Sequence, residues 1–292
     1  MLSLSMNWKI LNTRTNDAPV WHEYDIANDV VAFSTMRQGG FSTGNYAAFN
    51  INHYCGDAEE AVAANRAALC RMLGISEDRL IYPHQTHQTE VRAITPDYFS
   101  MSADDKATQL EGVDAVMTDM QGVCIGVSTA DCIPVLLYDE AHHAVAAVHA
   151  GWRGTVARIA EKAVRRMQYT YQTQPEKLQA VIGPGISMQN FEVGDEVYDA
   201  FLQAGFEMTS IAKRFPYTLF KGKEGCTESD GKTGRWHIDL PRCNQLQLEK
   251  TGVMTENILQ SDICTYDRYL QFFSARRLGI SSGRILTAIM LK

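Results

Sequence analysis

Three separated segments of this sequence hold the side chains best suited to chemistry. Gln85-Thr86-His87 lies between two short apolar stretches, and Thr129-Ala130-Asp131-Cys132 closes a third. His149-Ala150-Gly151-Trp152-Arg153-Gly154-Thr155 joins an apolar run to a helical one through two glycines. Taken singly, a buried histidine or cysteine is usually a packing residue. Their shared position at the ends of apolar strands is what singles them out, because a rigid scaffold can bring such ends together. Two imidazoles and one thiolate make a donor set that zinc accepts, and three protein ligands leave a fourth position for water or substrate. An ion held in that way lowers the pKa of its water to about 7. The same atoms also suit a cysteine hydrolase, with Cys132 as nucleophile and His149 as base. His84 competes with His87, since residues three apart in a strand point to opposite faces. His53, in Asn52-His53-Tyr54-Cys55, is a candidate to line the site.

The second chemistry is anion binding. Glycines ahead of a helix expose backbone N–H groups, and the helix N-terminus favours phosphate or carboxylate. Arg153 stands in that turn and could add a bidentate grip. Arg37, ahead of Gly39-Gly40, and Arg276 or Arg277 could do similar work. Asp131 is the acid–base candidate nearest the thiol, although adjacent strand residues point apart.

Positioning these groups requires a scaffold of strands and helices. Val30–Met36, Leu80–Tyr82, Glu90–Ile94, Ala115–Thr118, Val123–Val127, Ile133–Tyr138 and Ala144–His149 have strand composition, the last two joined by a hairpin turn containing His142 and His143. Gln179–Ile182, Ile258–Tyr266, Phe272–Ala275 and Ile285–Leu291 are further expected strands. A helix is expected over Ala58–Leu73, opened by an Asp57/Glu60 capping box and closed by Gly74. Others are expected from Gly154 to about Tyr169, over Gly194–Ala204 and over Leu240–Lys250, with Gly252 as a stop. The mixture lacks regular βαβ alternation, so a mixed α/β domain with helices outside sheets is expected. Glu207–Arg235 is polar and is expected to be a mobile loop or lid.

The chain has 292 residues, 45% hydrophobic and 21% charged, enough for a sizeable core. A net charge of −7 supplies no broad basic field for nucleic acid or an anionic membrane. The N-terminus has no apolar core behind a basic start, and the longest apolar runs are strand-sized. Seven scattered cysteines, with no C-x-x-C pair, fit a reducing cytoplasm rather than a disulfide framework.

Several segments resemble the laccase-domain family, whose bacterial members were called multicopper polyphenol oxidases and are now described as purine nucleoside phosphorylases. They are Thr35-Met36-Arg37-Gln38-Gly39-Gly40, Asn50, Cys55-Gly56-Asp57, Gln85-Thr86-His87, Ala130–Val135 and Ala147–Gly154. Gly183-Pro184, Phe191-Glu192-Val193, Cys264-Thr265-Tyr266 and Phe272–Arg277 complete the pattern. The resemblance implies an α/β/β/α sandwich with mixed sheets over residues 30–292, with 1–29 as an N-terminal extension. It implies a zinc held by His87, Cys132 and His149, which favours His87 over His84. It also implies phosphorolysis of adenosine, inosine and related nucleosides, including methylthioadenosine, together with adenosine deamination. Arg37, Asn50, Gln85, Asp131, Arg153 and Arg276 are then the expected substrate- or phosphate-binding residues, and the partners are a small nucleoside and phosphate. Copper is a second candidate metal, because affinity favours it at such donors. However, eight histidines without an H-x-H motif do not suit a multicopper oxidase. Editing of cell-wall precursor peptides is the alternative role for the cysteine chemistry, and a non-enzymatic metal-binding module is the reading without catalysis. A monomer and a dimer are both compatible with the sequence.

Overall fold

The computed structural model describes residues 18–215 and 234–292. Two sheets stack in it. A five-stranded sheet runs, in spatial order, Trp21–Tyr24, Val30–Thr35, Ile285–Leu291, Cys124–Thr129 and Leu80–Ile81. A six-stranded sheet runs Ile258–Gln260, Gln179–Ile182, Ile133–Asp139, Ala144–Ala150, Val113–Thr118 and Glu90–Ala93. Trp21–Tyr24 lies inside the expected extension and pairs antiparallel with Val30–Thr35.

Strand alternation builds the layers. Along Ile133–Asp139, Ile133, Val135 and Leu137 pack among the helices, while Leu136 and Tyr138 pack between the sheets. Ala144, Ala146 and Val148 likewise face the helices, and Val145 and Ala147 face the other sheet. Every residue of both strands is buried, so both faces are apolar. Helices Ile159–Tyr171 and Leu240–Thr251 cover the outer face of the six-stranded sheet. Helix Glu59–Leu73 covers the outer face of the five-stranded sheet through Leu69 and Cys70 against Phe33, Leu80 and Ala288. This is the expected α/β/β/α sandwich.

The chain crosses from the five-stranded to the six-stranded sheet twice in positions that matter here. One crossing, residues 82–89, joins Leu80–Ile81 to Glu90–Ala93, and the other, residues 130–132, joins Cys124–Thr129 to Ile133–Asp139.

Several elements differ from the sequence expectation. Helix Glu59–Leu73 ends at left-handed Gly74 as expected, but no capping box forms. The Asp57 carboxylate is taken instead by Ser42, Asn50 and the Ala58 N–H. The helix expected from Gly154 is two helices, Trp152–Val156 and Ile159–Tyr171, broken at Arg158, whose φ of 66° is left-handed. The strand expected over Ile258–Tyr266 ends at Gln260. Phe272–Ala275 is no strand: Phe272 and Phe273 pack with Met36, Ile263 and Ile285, and a helix starts at Ala275. Within the expected loop Glu207–Arg235, Met208–Ile211 is helical and Ala212–Phe215 pairs with Arg235–Ile238. The rest of that loop, 216–233, lies outside the described residues.

Candidate active site

The two crossings and the end of one strand meet at a single place. His87 comes from the first crossing, Cys132 from the second, and His149 from the next-to-last position of strand Ala144–Ala150. One donor atom from each lies within 4.8 Å of the other two. The Cys132 Sγ is 3.9 Å from His87 Nε2. Donors on a tetrahedral zinc stand about 3.6 Å apart for nitrogen and sulfur, so this pair is already near the spacing an ion requires. His87 is exposed, Cys132 half-buried and His149 buried, which gives the site one open side.

Gly151 keeps the space between the donors free. A Cβ there would stand 2.9 Å from His87 Cδ2 and 3.0 Å from the Cys132 Sγ. That cradle, together with one sulfur and two nitrogen donors, fits a bound zinc ion.

Asp114 ties the arrangement together, and sequence reasoning missed it. It is fully buried in strand Val113–Thr118. The register Ala115↔Val148 continues to place Asp114 opposite His149. Its Oδ1 accepts hydrogen bonds from His149 Nδ1 at 2.7 Å and from the His87 backbone N–H at 3.0 Å. Its Oδ2 accepts from the backbone N–H of Gln88 at 2.7 Å and, more weakly, of Thr86 at 3.4 Å. The one signal available was a charge inside an otherwise apolar strand, Val-Asp-Ala-Val-Met-Thr, because a buried carboxylate must find partners.

Charges in the site hold one another. Burial alone would raise the Cys132 thiol, but the His149 charge and hydrogen bonds from both imidazoles outweigh it and bring the thiol down to about 6. Burial likewise opposes a charged His149, yet the Cys132 thiolate and Asp114 hold it up at about 9. Asp114 is penalised by burial too, and the His149 bond with the Gln88 and His87 N–H groups keeps it below the usual carboxylate range.

Most of the other expected site residues spend their polar groups on the backbone or on neighbouring side chains. Gln85 pairs its whole carboxamide with the backbone of Ser128, donating to the carbonyl at 2.8 Å and accepting from the N–H at 2.7 Å. Asn50 is buried and bonds Asn52, Asp57 and the Arg284 N–H, away from the three donors. Arg37 donates to the carbonyls of Ala47 and Tyr269 and covers the Phe273 ring. Asp131 lies in the second crossing rather than in a strand, at a left-handed φ of 85°, so the strand argument for its direction does not apply. Its carboxylate accepts from Thr265 Oγ1 at 2.7 Å and from the Arg276 N–H at 2.6 Å. The Arg276 side chain is exposed and donates to the Glu192 carbonyl. Arg153 is exposed, its guanidinium over the Trp152 ring at 4.3 Å. The helix it belongs to has five residues, too short for the strong N-terminal pull on anions expected from the sequence. His84 pairs with Glu111 and stacks on Tyr54, outside the donor group, and His53 bonds the Tyr82 hydroxyl.

Comparison with known proteins places this architecture. The family described as multi-copper polyphenol oxidoreductase laccase matches residues 31–292. A protein of Bacteroides thetaiotaomicron named purine nucleoside phosphorylase is 45% identical over 264 residues, 90% of this chain and 92% of its own length. A protein named adenosine deaminase RL5, from an unknown prokaryotic organism, is 41% identical over 263 residues, 90% of this chain and 94% of its own. The crystal structure of YlmD from Geobacillus stearothermophilus has a TM-score of 0.78 at 29% identity, covering 93% of this chain and 96% of that one. The family match covers all three donor positions and both sheets apart from strand Trp21–Tyr24 and Val30, and on that footing the chain belongs to the multi-copper polyphenol oxidoreductase laccase family, whose relatives here are enzymes.

Proposed function

We propose that this chain is a zinc-dependent purine nucleoside enzyme that splits adenosine, inosine and methylthioadenosine with phosphate, and that also deaminates adenosine. The observation that carries this reading is the convergence of His87, Cys132 and His149 around a space that Gly151 leaves open. The names of the relatives supply the substrate class. Held by these three donors, zinc supplies Lewis-acid polarisation and an activated water.

The protein's own groups do the rest. Asp114 fixes the His149 ring so that Nδ1 donates to the carboxylate, which leaves Nε2 as the donor toward the site. Arg153 is the exposed cation nearest in sequence to the site and is the proposed phosphate ligand. A cavity lined by Gly183, Gly185, Ser187, Asp239, Asp262 and Cys264 lies behind the second crossing, where a Cβ on Gly185 would stand 3.3 Å from the Cys132 carbonyl oxygen. Its lining has two carboxylates and no cationic side chain, which suits a hydroxyl-bearing ribose better than an anion. The six described cysteines are free thiols, consistent with work in a reducing cytoplasm. The same donors accept copper, and copper loading is the proposed route to polyphenol oxidation as a side activity.

Metal-analysed protein given adenosine and phosphate is expected to release adenine and ribose-1-phosphate, and without phosphate only inosine. Arg153→Ala should raise KM for phosphate about 10-fold or more, the usual size of a lost charged hydrogen bond. Deamination should change little. Equal base release with and without phosphate would remove phosphorolysis from the reading.

One observation favours a second reading. Cys132, His149 and Asp114 are also placed as the thiol, base and orienting carboxylate of a cysteine hydrolase, the reading linked to cell-wall peptide editing. Nucleoside turnover that survives complete removal of metal would favour it.

A further inference from the structure

We infer that Asp114 is the positioning residue through which the two imidazoles of the metal site are set together, an inference that rests on the metal reading above. Each imidazole has a different need. His149 must carry its proton on Nδ1 so that Nε2 is free to bind an ion, and it is the acceptor on Nδ1 that decides this. His87 must leave a surface crossing and aim inward, and its backbone does so at a φ of 63°, a left-handed conformation uncommon for any residue but glycine.

One carboxylate meets both needs. Oδ1 takes the His149 Nδ1 proton and the His87 N–H, and Oδ2 takes the Gln88 N–H immediately after the left-handed residue. All the hydrogen-bonding groups facing Asp114 are donors, and the carboxylate is the only side-chain group of this size with acceptors alone. The site therefore links a strand of the six-stranded sheet, which carries Asp114 and faces His149, to the crossing that carries His87. Metal affinity should be set by that link as much as by the donors.

Asparagine at 114 keeps the shape and breaks the pattern in either orientation. With its oxygen toward His149, its NH₂ meets the Gln88 N–H, and the crossing loses its anchor. With its NH₂ toward His149, Nδ1 must become the acceptor, Nε2 takes the proton, and the ring stops being a ligand. Asp114→Asn is expected to weaken zinc binding about 10- to 100-fold, the usual effect of removing such an outer partner. Chelator competition measures this without reference to activity. The cobalt-substituted protein should also lose the sulfur-to-metal and tetrahedral d–d absorption of the wild type, while far-ultraviolet circular dichroism stays the same. Asp114→Glu, which restores the charge but displaces the oxygens, should recover less than a tenth of the lost affinity.

Wild-type protein that fails to bind zinc would sink the metal reading itself. Wild-type protein that binds zinc, beside an Asn variant with equal affinity and an unchanged cobalt spectrum, would overturn this inference alone. Should the variants not fold, nitrogen-15 spectra of the imidazoles in zinc-loaded wild-type protein decide the matter: His149 is expected with a slowly exchanging proton on Nδ1 and the metal on Nε2, and metal on Nδ1 with the proton on Nε2 would refute the role of Asp114.

Discussion

Cys132 owes its reactivity to its neighbours. Without metal, the thiol at about 6 and His149 at about 9 form a thiolate–imidazolium pair across the neutral range. The thiolate is the nucleophile, so its fraction sets the rate of alkylation. In metal-stripped protein, iodoacetamide should modify Cys132 at a rate nearly flat from pH 7 to 8.5, halving near pH 6 and falling tenfold per unit below it. An ordinary thiol has lost most of its thiolate at pH 7. Quantitative mass spectrometry of the Cys132 peptide against the Cys264 peptide reads this directly, and a tenfold rise per unit between pH 6 and 8 would contradict it. Zinc should suppress the reaction at every pH. At this scale much of the site was legible from sequence. Cysteine and histidine at strand ends beside Gly151 and Gly154 carry a visible chemical signature. Asp114 does not, since a single aspartate in an apolar strand fits no spacing motif, and its partners are backbone N–H groups remote in sequence. Asn50, Arg37 and Asp131 show the converse: a motif residue can serve a fold's turns as readily as its substrate, and the polar groups of all three bond to loop atoms.

Among the elements, the first crossing does the positioning. Strand Leu80–Ile81 pairs with Cys124–Ile125 and then leaves the sheet, so the later peptides of strand Cys124–Thr129 lose their neighbour on that side. The Gln85 carboxamide replaces it at Ser128, bonding both the N–H and the carbonyl as a strand peptide would. Gln85→Leu is similar in size and removes both bonds. It should destabilise the fold by about 2 kcal/mol, since buried backbone groups at Ser128 would be left unpaired. It should also weaken metal binding, because His87 follows two residues later on the same crossing. Urea unfolding and zinc titration check the two parts, and a stability equal to wild type would show that water replaces the carboxamide without loss. Long periodic elements such as Glu59–Leu73 and Leu240–Thr251 were readable, and so were the β-branched strands. The helix break at Arg158 was not, because no glycine or proline marks it. Phe272 and Phe273 have strand composition yet form none, because a short apolar run looks the same whether it pairs or simply packs.

For the whole molecule, the sandwich is held mainly by apolar contact between its layers; the family resemblance made that architecture readable where strand composition implied only a mixed α/β domain, and strand alternation shows how one buried strand serves two layers. The alternation does not say where the sheets are tied to each other. The proposed metal site is such a tie: both crossings from the five-stranded to the six-stranded sheet and a strand of the latter contribute one donor each. An ion there binds the folded arrangement and has little to bind in an unfolded chain whose donors lie 45 and 17 residues apart. Free zinc at a hundred times Kd should therefore stabilise the protein by about 2.7 kcal/mol. For a chain longer than 250 residues, that corresponds to a rise in Tm of several degrees. Chelation should lower Tm by the same amount in wild type and leave His87→Ala almost unmoved, because that variant keeps only two donors. Calorimetry with matched chelator and zinc concentrations tests this. A chelator-induced fall of equal size in both proteins would place the stabilising ion somewhere other than between the two crossings.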